Sequence, residues 1–245
     1  MDRRGFLIGC AAAGAGASAT DTAALAQAIG QAAAQAPGGE ALAWHRALLV
    51  GENGEPLMAS QLPERRNLLF HYPFVGTPAF LLDLGKPTRR KVALNTEDRD
   101  RYTWAGGVGP KRSIVAYSAI CAHQMAYPAK EISFISFRAE ASPISKRGDV
   151  IHCCAEHSQY DPADGARVLA GPATQPLAAV LLEHDPATDR LYATGTQGGE
   201  LFDRFFERFA MKLSLEHGGR ERQPAGERCL VQPIENYCRQ LMRCA

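Results

Sequence analysis

Two short stretches decide the reading of this chain: Ile120-Cys121-Ala122-His123-Gln124-Met125-Ala126 and His152-Cys153-Cys154-Ala155-Glu156-His157-Ser158-Gln159-Tyr160-Asp161-Pro162. Each joins a thiol to an imidazole, as C-x-H in the first and C-x-x-H in the second. Together they offer two sulfurs and two nitrogens, the donor set of a soft or borderline metal centre. The candidate ligands are therefore Cys121, His123, Cys154 and His157. Cys153 is the alternative to Cys154, which is preferred for its C-x-x-H spacing.

Structural zinc also accepts two Cys and two His. The C-x-H spacing argues against it, because zinc chelate loops usually leave two to four residues between ligands. In a [2Fe–2S] centre each iron needs only two protein ligands, and both Cys can sit on one iron with both His on the other. Two side-by-side loops that each give one ligand to each iron satisfy this. In these motifs the sequence resembles the Rieske iron–sulfur family, over about residues 110–195.

The flanks carry the same resemblance. Ser158, Tyr160 and Asp161 match the hydroxyl, phenol and Asp that follow the second ligand loop. Gly171-Pro172-Ala173 matches the loop that closes over the cluster. The family implies that Ser158 and Tyr160 donate hydrogen bonds to cluster and ligand sulfur, raising the potential. Departures from the pattern are also definite. Many members carry a further Cys in each loop and join the two; Ala126 and Glu156 occupy those places, which predicts a disulfide-free variant. The glycine after the second His has no counterpart, which leaves the role of Ser158 open. The interval between His123 and Cys154 is longer than the family's and leaves room for an added hairpin around residues 132–137.

Outward from these loops the chain reads as short strands. Asn53-Gly54 between Arg46-Ala47-Leu48-Leu49-Val50 and Pro56-Leu57-Met58-Ala59 is a hairpin signal. Further strand candidates are residues 68–70, 79–84, 91–94, 113–117, 132–137, 148–151, 177–182 and 191–193, separated by Gly/Pro turns. The fold class is all-β: an antiparallel Rieske-type sandwich with a cluster-binding subdomain at about 117–175. Residues 201–213, LFDRFFERFAMKL, place apolar side chains at i, i+3, i+4 and i+7, which predicts an amphipathic helix packed on its own sheet. Docking to a membrane partner is the alternative, motivated by its Phe-rich face. The domain plan is 1–28 export signal or anchor, 29–40 linker, 41–200 Rieske domain, and 201–245 helix and Cys-containing tail. Cys229, Cys238 and Cys244 are expected to form one disulfide and leave one thiol, available to Cys153.

With 245 residues and 27 Lys+Arg against 26 Asp+Glu, the net charge is +1. So even a balance argues against a nucleic-acid partner held by phosphate contacts. At the N-terminus, Arg3-Arg4-Gly5-Phe6-Leu7 and the Ala/Gly-rich stretch after it resemble a twin-arginine export signal, with A-x-A sites at Ala24-Leu25-Ala26 and Ala26-Gln27-Ala28. This predicts a periplasmic protein, with the segment cleaved or kept as a membrane anchor.

The resemblance implies electron transfer through a Rieske-type [2Fe–2S] cluster, with no catalytic residue of the chain's own. The leading expectation is the Rieske subunit of a quinol-oxidising, cytochrome bc-like complex. Its partners would be a membrane cytochrome b-like or other redox subunit, a quinol and a periplasmic cytochrome. The alternative is the small subunit of a periplasmic molybdenum oxidoreductase of the arsenite oxidase kind. A ring-hydroxylating oxygenase would need a 2-His-1-carboxylate iron site, and the only His after the loops, His184 and His217, lack that spacing. His45, His71 and His152 are read as surface, packing or strand residues.

Overall fold

A computed structural model describes residues 39–244. The expected export signal, and the linker apart from its last two residues, lie outside the described residues. No helix among the described residues is long and apolar enough to cross a membrane.

The strands are β1 (Ala41–Val50), β2 (Leu68–His71), β3 (Pro78–Asp83), β4 (Val92–Asn95), β5 (Arg101–Trp104), β6 (Ile114–Ser118) and β7 (Ile135–Arg138). They continue with β8 (Val150–Cys153), β9 (Ser158–Asp161), β10 (Arg167–Ala170), β11 (Ala179–Asp185), β12 (Arg190–Gln197), β13 (Arg228–Leu230) and β14 (Gln232–Pro233). The helices are α1 (Phe202–Arg208), α2 (Ala210–His217) and α3 (Ile234–Tyr237). The chain is thus all-β with a short helical addition.

Eight strands form one sheet in the order β13-β1-β12-β11-β6-β3-β2-β14. Every neighbour is antiparallel except β13 on β1. Its two outermost strands, β13 and β14, are separated in sequence by Val231 alone, so the sheet must curl until its edges meet. Bringing the edges together leaves little exposed strand edge of the kind that templates aggregation. A second, four-stranded antiparallel sheet, β10-β9-β8-β7, carries the second candidate loop, and β4-β5 form a ribbon.

Side-chain alternation explains why β3 and β6 are buried throughout. Ala79 and Leu81 of β3, with Ile114 and Ala116 of β6, point into the curled sheet beside Leu49, Phe70 and Val180. Their neighbours Phe80, Leu82, Val115 and Tyr117 point the other way, against Ile135, Phe137, Ile151 and Tyr160 of the second sheet and Trp104 of the ribbon. Strands covered on both faces lose the apolar/polar alternation of a half-exposed sheet and read as continuous apolar runs.

Three local expectations are corrected. The Asn53-Gly54 hairpin is a tight turn closed by Gly51 N–H to Glu55 O at 2.9 Å; it pairs only Val50 with Pro56, and the chain then bends into a 3-10 turn at Ala59–Gln61. The single helix over 201–213 is two helices breaking at Phe209 (φ −112°, ψ 18°). Phe202, Phe205, Phe206 and Leu213 pack on Ile120, Met125, Tyr127 and Ala129, so the Phe-rich face covers the chain's own first candidate loop. The stretch after Gly218, expected as a tail, supplies β13, β14 and α3 to the body; pieces this short have no readable period, and pairing with β1 and β2 makes them strands.

Candidate metal centre

The first loop leaves the end of β6 and turns back on itself. Cys121 N–H donates to Ala126 O at 2.9 Å and Met125 N–H to Cys121 O at 2.9 Å, with Met125 at φ 57°. The second loop is the connection between β8 and β9, where Cys153 stands directly opposite Ser158, and Ile151 opposite Tyr160. Residues two apart along a strand share a face. Cys153, Ser158 and Tyr160 therefore look out of the same side of this sheet, toward the first loop, while His152 faces the other side.

Cys121 and Cys153 meet there as a buried pair of interacting thiols, each 2% exposed. Tyr160 Oη lies 3.3 Å from Cys121 Sγ and accepts the Ala122 N–H at 3.1 Å. The Cys121 sulfur also takes the N–H groups of His123 and Gln124, and the Cys153 sulfur takes those of Ala155 and Glu156. The two loops thus present sulfur in the same way, each receiving N–H groups from two and three residues downstream. The Cys153 neighbour, acting first, and these donors bring the Cys121 thiol down to about 6 against the cost of burial. Sharing a proton with Cys121 and burial push Cys153 up. Burial, then the Cys121 charge, push the Tyr160 phenol well up, so it stays a hydrogen-bond donor.

Cys154 is bonded to Cys244, with the Cα atoms 5.1 Å apart. This corrects two expectations. A sulfur held in a disulfide is not a thiolate ligand, so the thiol that faces Cys121 is Cys153 and not Cys154. The expected disulfide-free protein has a disulfide, and it runs from the second loop to the C-terminal end instead of between the loops. The expected bond among Cys229, Cys238 and Cys244 does not form: Cys229 and Cys238 are buried free thiols. The Cys153-Cys154 doublet was ambiguous from spacing. The fold separates the two: Cys153 is the last residue of β8, on the face of Ser158 and Tyr160, whereas Cys154 begins the turn and is bonded to Cys244. Cys244 reaches the second loop because Ser133 pairs with Leu241 and because the Arg138 guanidinium donates to Met242 O.

The imidazoles have different neighbours. His123 turns Nδ1 toward Glu156 Oε2 at 3.3 Å, with the two side chains 27% and 46% exposed. His157 sits in the left-handed region (φ 62°), with its ring 5.7 Å from that of His152. Ring nitrogens of His152 and His157 and the sulfur of Cys244 lie within 4.8 Å of one another, but that sulfur is spent in the disulfide. His152 is 1% exposed, and both its ring nitrogens lack a partner among the described residues. Burial, then the nearby His157 and Arg138, bring its pKa down to about 4, so it is neutral. His184 bonds Asp189 at 2.8 Å, and His71 packs on Tyr237 and His217; neither approaches the loops.

Gly171 (φ +87°) crosses the second loop so closely that a Cβ there would stand 2.5 Å from Ser158 Cα and 2.6 Å from His157 O. Only glycine fits this crossing, and it carries the exposed Pro172 over the loop. Asp161 accepts the Ala163 N–H at 3.0 Å, and Tyr117 donates to Pro162 O at 2.8 Å, which pins the end of β9 to the main sheet.

The residues fit a cluster on chemical grounds. Two paired thiols fed by four N–H groups form a nest for negatively charged sulfur. Ser158 Oγ is buried, on the same face, and without a partner among the described residues. A buried hydroxyl left unsatisfied costs about 1–3 kcal/mol, and a sulfide acceptor in that space would meet it.

No protein-family model matches the chain. Among solved structures, the crystal structure of the soluble domain of the Rieske protein II (soxF) from Sulfolobus acidocaldarius is similar, at 27% sequence identity and a TM-score of 0.43, covering 62% of this chain and 78% of that one.

Proposed function

We propose that this protein is an electron carrier with a [2Fe–2S] cluster of the Rieske kind, bound by Cys121 and Cys153 on the inner iron and by His123 with a second residue of the 154–157 loop on the outer iron. The observation that supports it most directly is the buried Cys121–Cys153 pair bracketed by Tyr160 and by the unpartnered Ser158 hydroxyl. A bound cluster supplies one-electron redox chemistry. The chain's residues set its ease of reduction. Tyr160 and the four N–H groups stabilise added negative charge on sulfur, Gly171-Pro172 covers the loops, and α1 and α2 brace the first loop from behind. His123 is the partly exposed group through which an electron, and a proton at an imidazole edge, can leave or enter.

In this reading the protein is exported by the twin-arginine route and works at the periplasmic face as the Rieske subunit of a quinol-oxidising, cytochrome bc-like complex. The motif resemblance supports the assignment, and so does the export signal, since that route carries folded, cofactor-loaded proteins. EPR of the dithionite-reduced full chain, with iron and acid-labile sulfide analysis, tests the cofactor. Equal iron and sulfide with a rhombic signal of low average g is expected. Stoichiometric zinc without sulfide would overturn the reading. Reduction of the cluster by quinol in membranes from the native host tests the partner. Reduction by a soluble molybdenum oxidoreductase and not by quinol would move the protein to the arsenite oxidase-like class.

A further inference from the structure

The geometry assigns the fourth ligand of this centre to the Glu156 carboxylate and not to the imidazole of His157, a deepening that rests on the cluster reading above. Once Cys153 is the second thiol, the residue directly after the intervening pair is Glu156: Cys153-Cys154-Ala155-Glu156 has the C-x-x-ligand spacing. The Glu156 N–H donates to the Cys153 sulfur, which holds the base of its side chain beside that thiol. Its Oε2 stands 3.3 Å from His123 Nδ1. For metal–ligand bonds of about 2.0–2.1 Å in a tetrahedron, two donor atoms on one metal are about 3.4 Å apart. The His123 and Glu156 donors therefore already have the separation that a shared iron requires.

His157 is placed otherwise. Its left-handed φ of 62° turns the chain, and its ring lies 5.7 Å from that of His152, tilted by 56° to it; the His152 side chain leaves β8 on the face opposite Cys153. There it lies against the Cys154–Cys244 disulfide. That disulfide ties Cys154 to the far side of the loop and so sets which neighbour, Cys153 on one side and Glu156 two residues on, faces the first loop.

A carboxylate in place of a neutral imidazole adds one negative charge to the outer iron. Adding an electron there is harder, so the centre is easier to oxidise than one with two imidazoles. Pulsed EPR on the reduced full-length holoprotein counts the coordinating nitrogens directly. One strongly coupled 14N class, lost in neither His157→Asn nor any other change outside His123, is the expected result. Glu156→His should introduce a second coupled nitrogen and shift the midpoint potential upward, with iron and sulfide still equal. Two strongly coupled nitrogens in the unmodified protein, one of them abolished by His157→Asn, would overturn the assignment while leaving the cluster intact. A protein with neither cluster iron nor sulfide would overturn the cluster reading and this one with it.

Discussion

The Tyr160 hydroxyl bridges the first loop at two points, 3.3 Å from Cys121 Sγ and 3.1 Å from the Ala122 nitrogen that donates to it. One side chain from the second sheet thus both fixes the backbone of the first loop and directs a proton at its sulfur. Tyr160→Phe keeps the ring's packing and removes both interactions. In the holoprotein the midpoint potential should fall. A loss of about 1 kcal/mol of preferential stabilisation of the reduced state corresponds to about 40 mV for one electron. Protein-film voltammetry reads this; an unchanged or higher potential refutes the tuning role.

The two adjacent cysteines should respond oppositely. Cys153→Ser should abolish cluster assembly, because the second thiol beside Cys121 is gone. Cys154→Ser and Cys244→Ser should retain iron and sulfide. Each should lower stability by about 2–4 kcal/mol, since their bond closes a loop with a sequence separation of 90 residues. Iron and sulfide content and urea unfolding distinguish the cases. Loss of the cluster in Cys154→Ser with retention in Cys153→Ser would reverse the ligand assignment.

Gly171→Ala places a methyl 2.5 Å from Ser158 Cα in a backbone conformation with φ +87°. The crossing loop must lift, at a cost of about 1–3 kcal/mol. The expected result is a lower unfolding midpoint together with faster loss of iron to a chelator, because the covering loop no longer seats. Wild-type chelation kinetics in Gly171→Ala would show that the loop does not cover the site.

His71 makes stability depend on pH. Burial, with smaller contributions from His217 and Lys130, brings its pKa down to about 3. An unfolded histidine titrates near 6.5. Between these values the unfolded chain binds a proton that the folded protein refuses. Stability therefore declines as pH falls below about 6.5, by up to about 1.4 kcal/mol per pH unit, until the folded form protonates near 3. Urea unfolding at pH 7 and pH 5 should show the decline, and His71→Gln should reduce its slope. Equal slopes in the two proteins would remove His71 as the cause.

Much of the architecture was legible because alternation and turn residues are local. The segments around 68–70, 79–84, 113–117 and 177–182 read as strands and are β2, β3, β6 and part of β11. Strands such as β5, β10 and β13 were not legible. Arg101–Trp104 and Arg167–Ala170 carry charge at their edges and acquire strand geometry only by pairing, as Tyr102 and Trp104 do opposite Leu94 and Val92. The helix break at Phe209 was equally hidden, since the apolar period runs through it and the bend follows from wrapping Phe205 and Leu213 around Tyr127.

At the site, the two thiol-bearing loops, the following Ser-x-Tyr-Asp and the Gly-Pro-Ala loop were legible in the residue order through their resemblance to one family pattern, because these chemistries are spelled out at short range. Which sulfur of the Cys153-Cys154 doublet turns inward, and whether Glu156 or His157 meets His123, only the tertiary structure decided. Cys153 ends β8 on the face of Tyr160, and the path of the turn at 154–157 then sets where Cys154, Glu156 and His157 go, which no local spacing specifies. That path is held by contacts remote in sequence: Cys244 on Cys154, Gly171 on Ser158, and Tyr160 on Cys121.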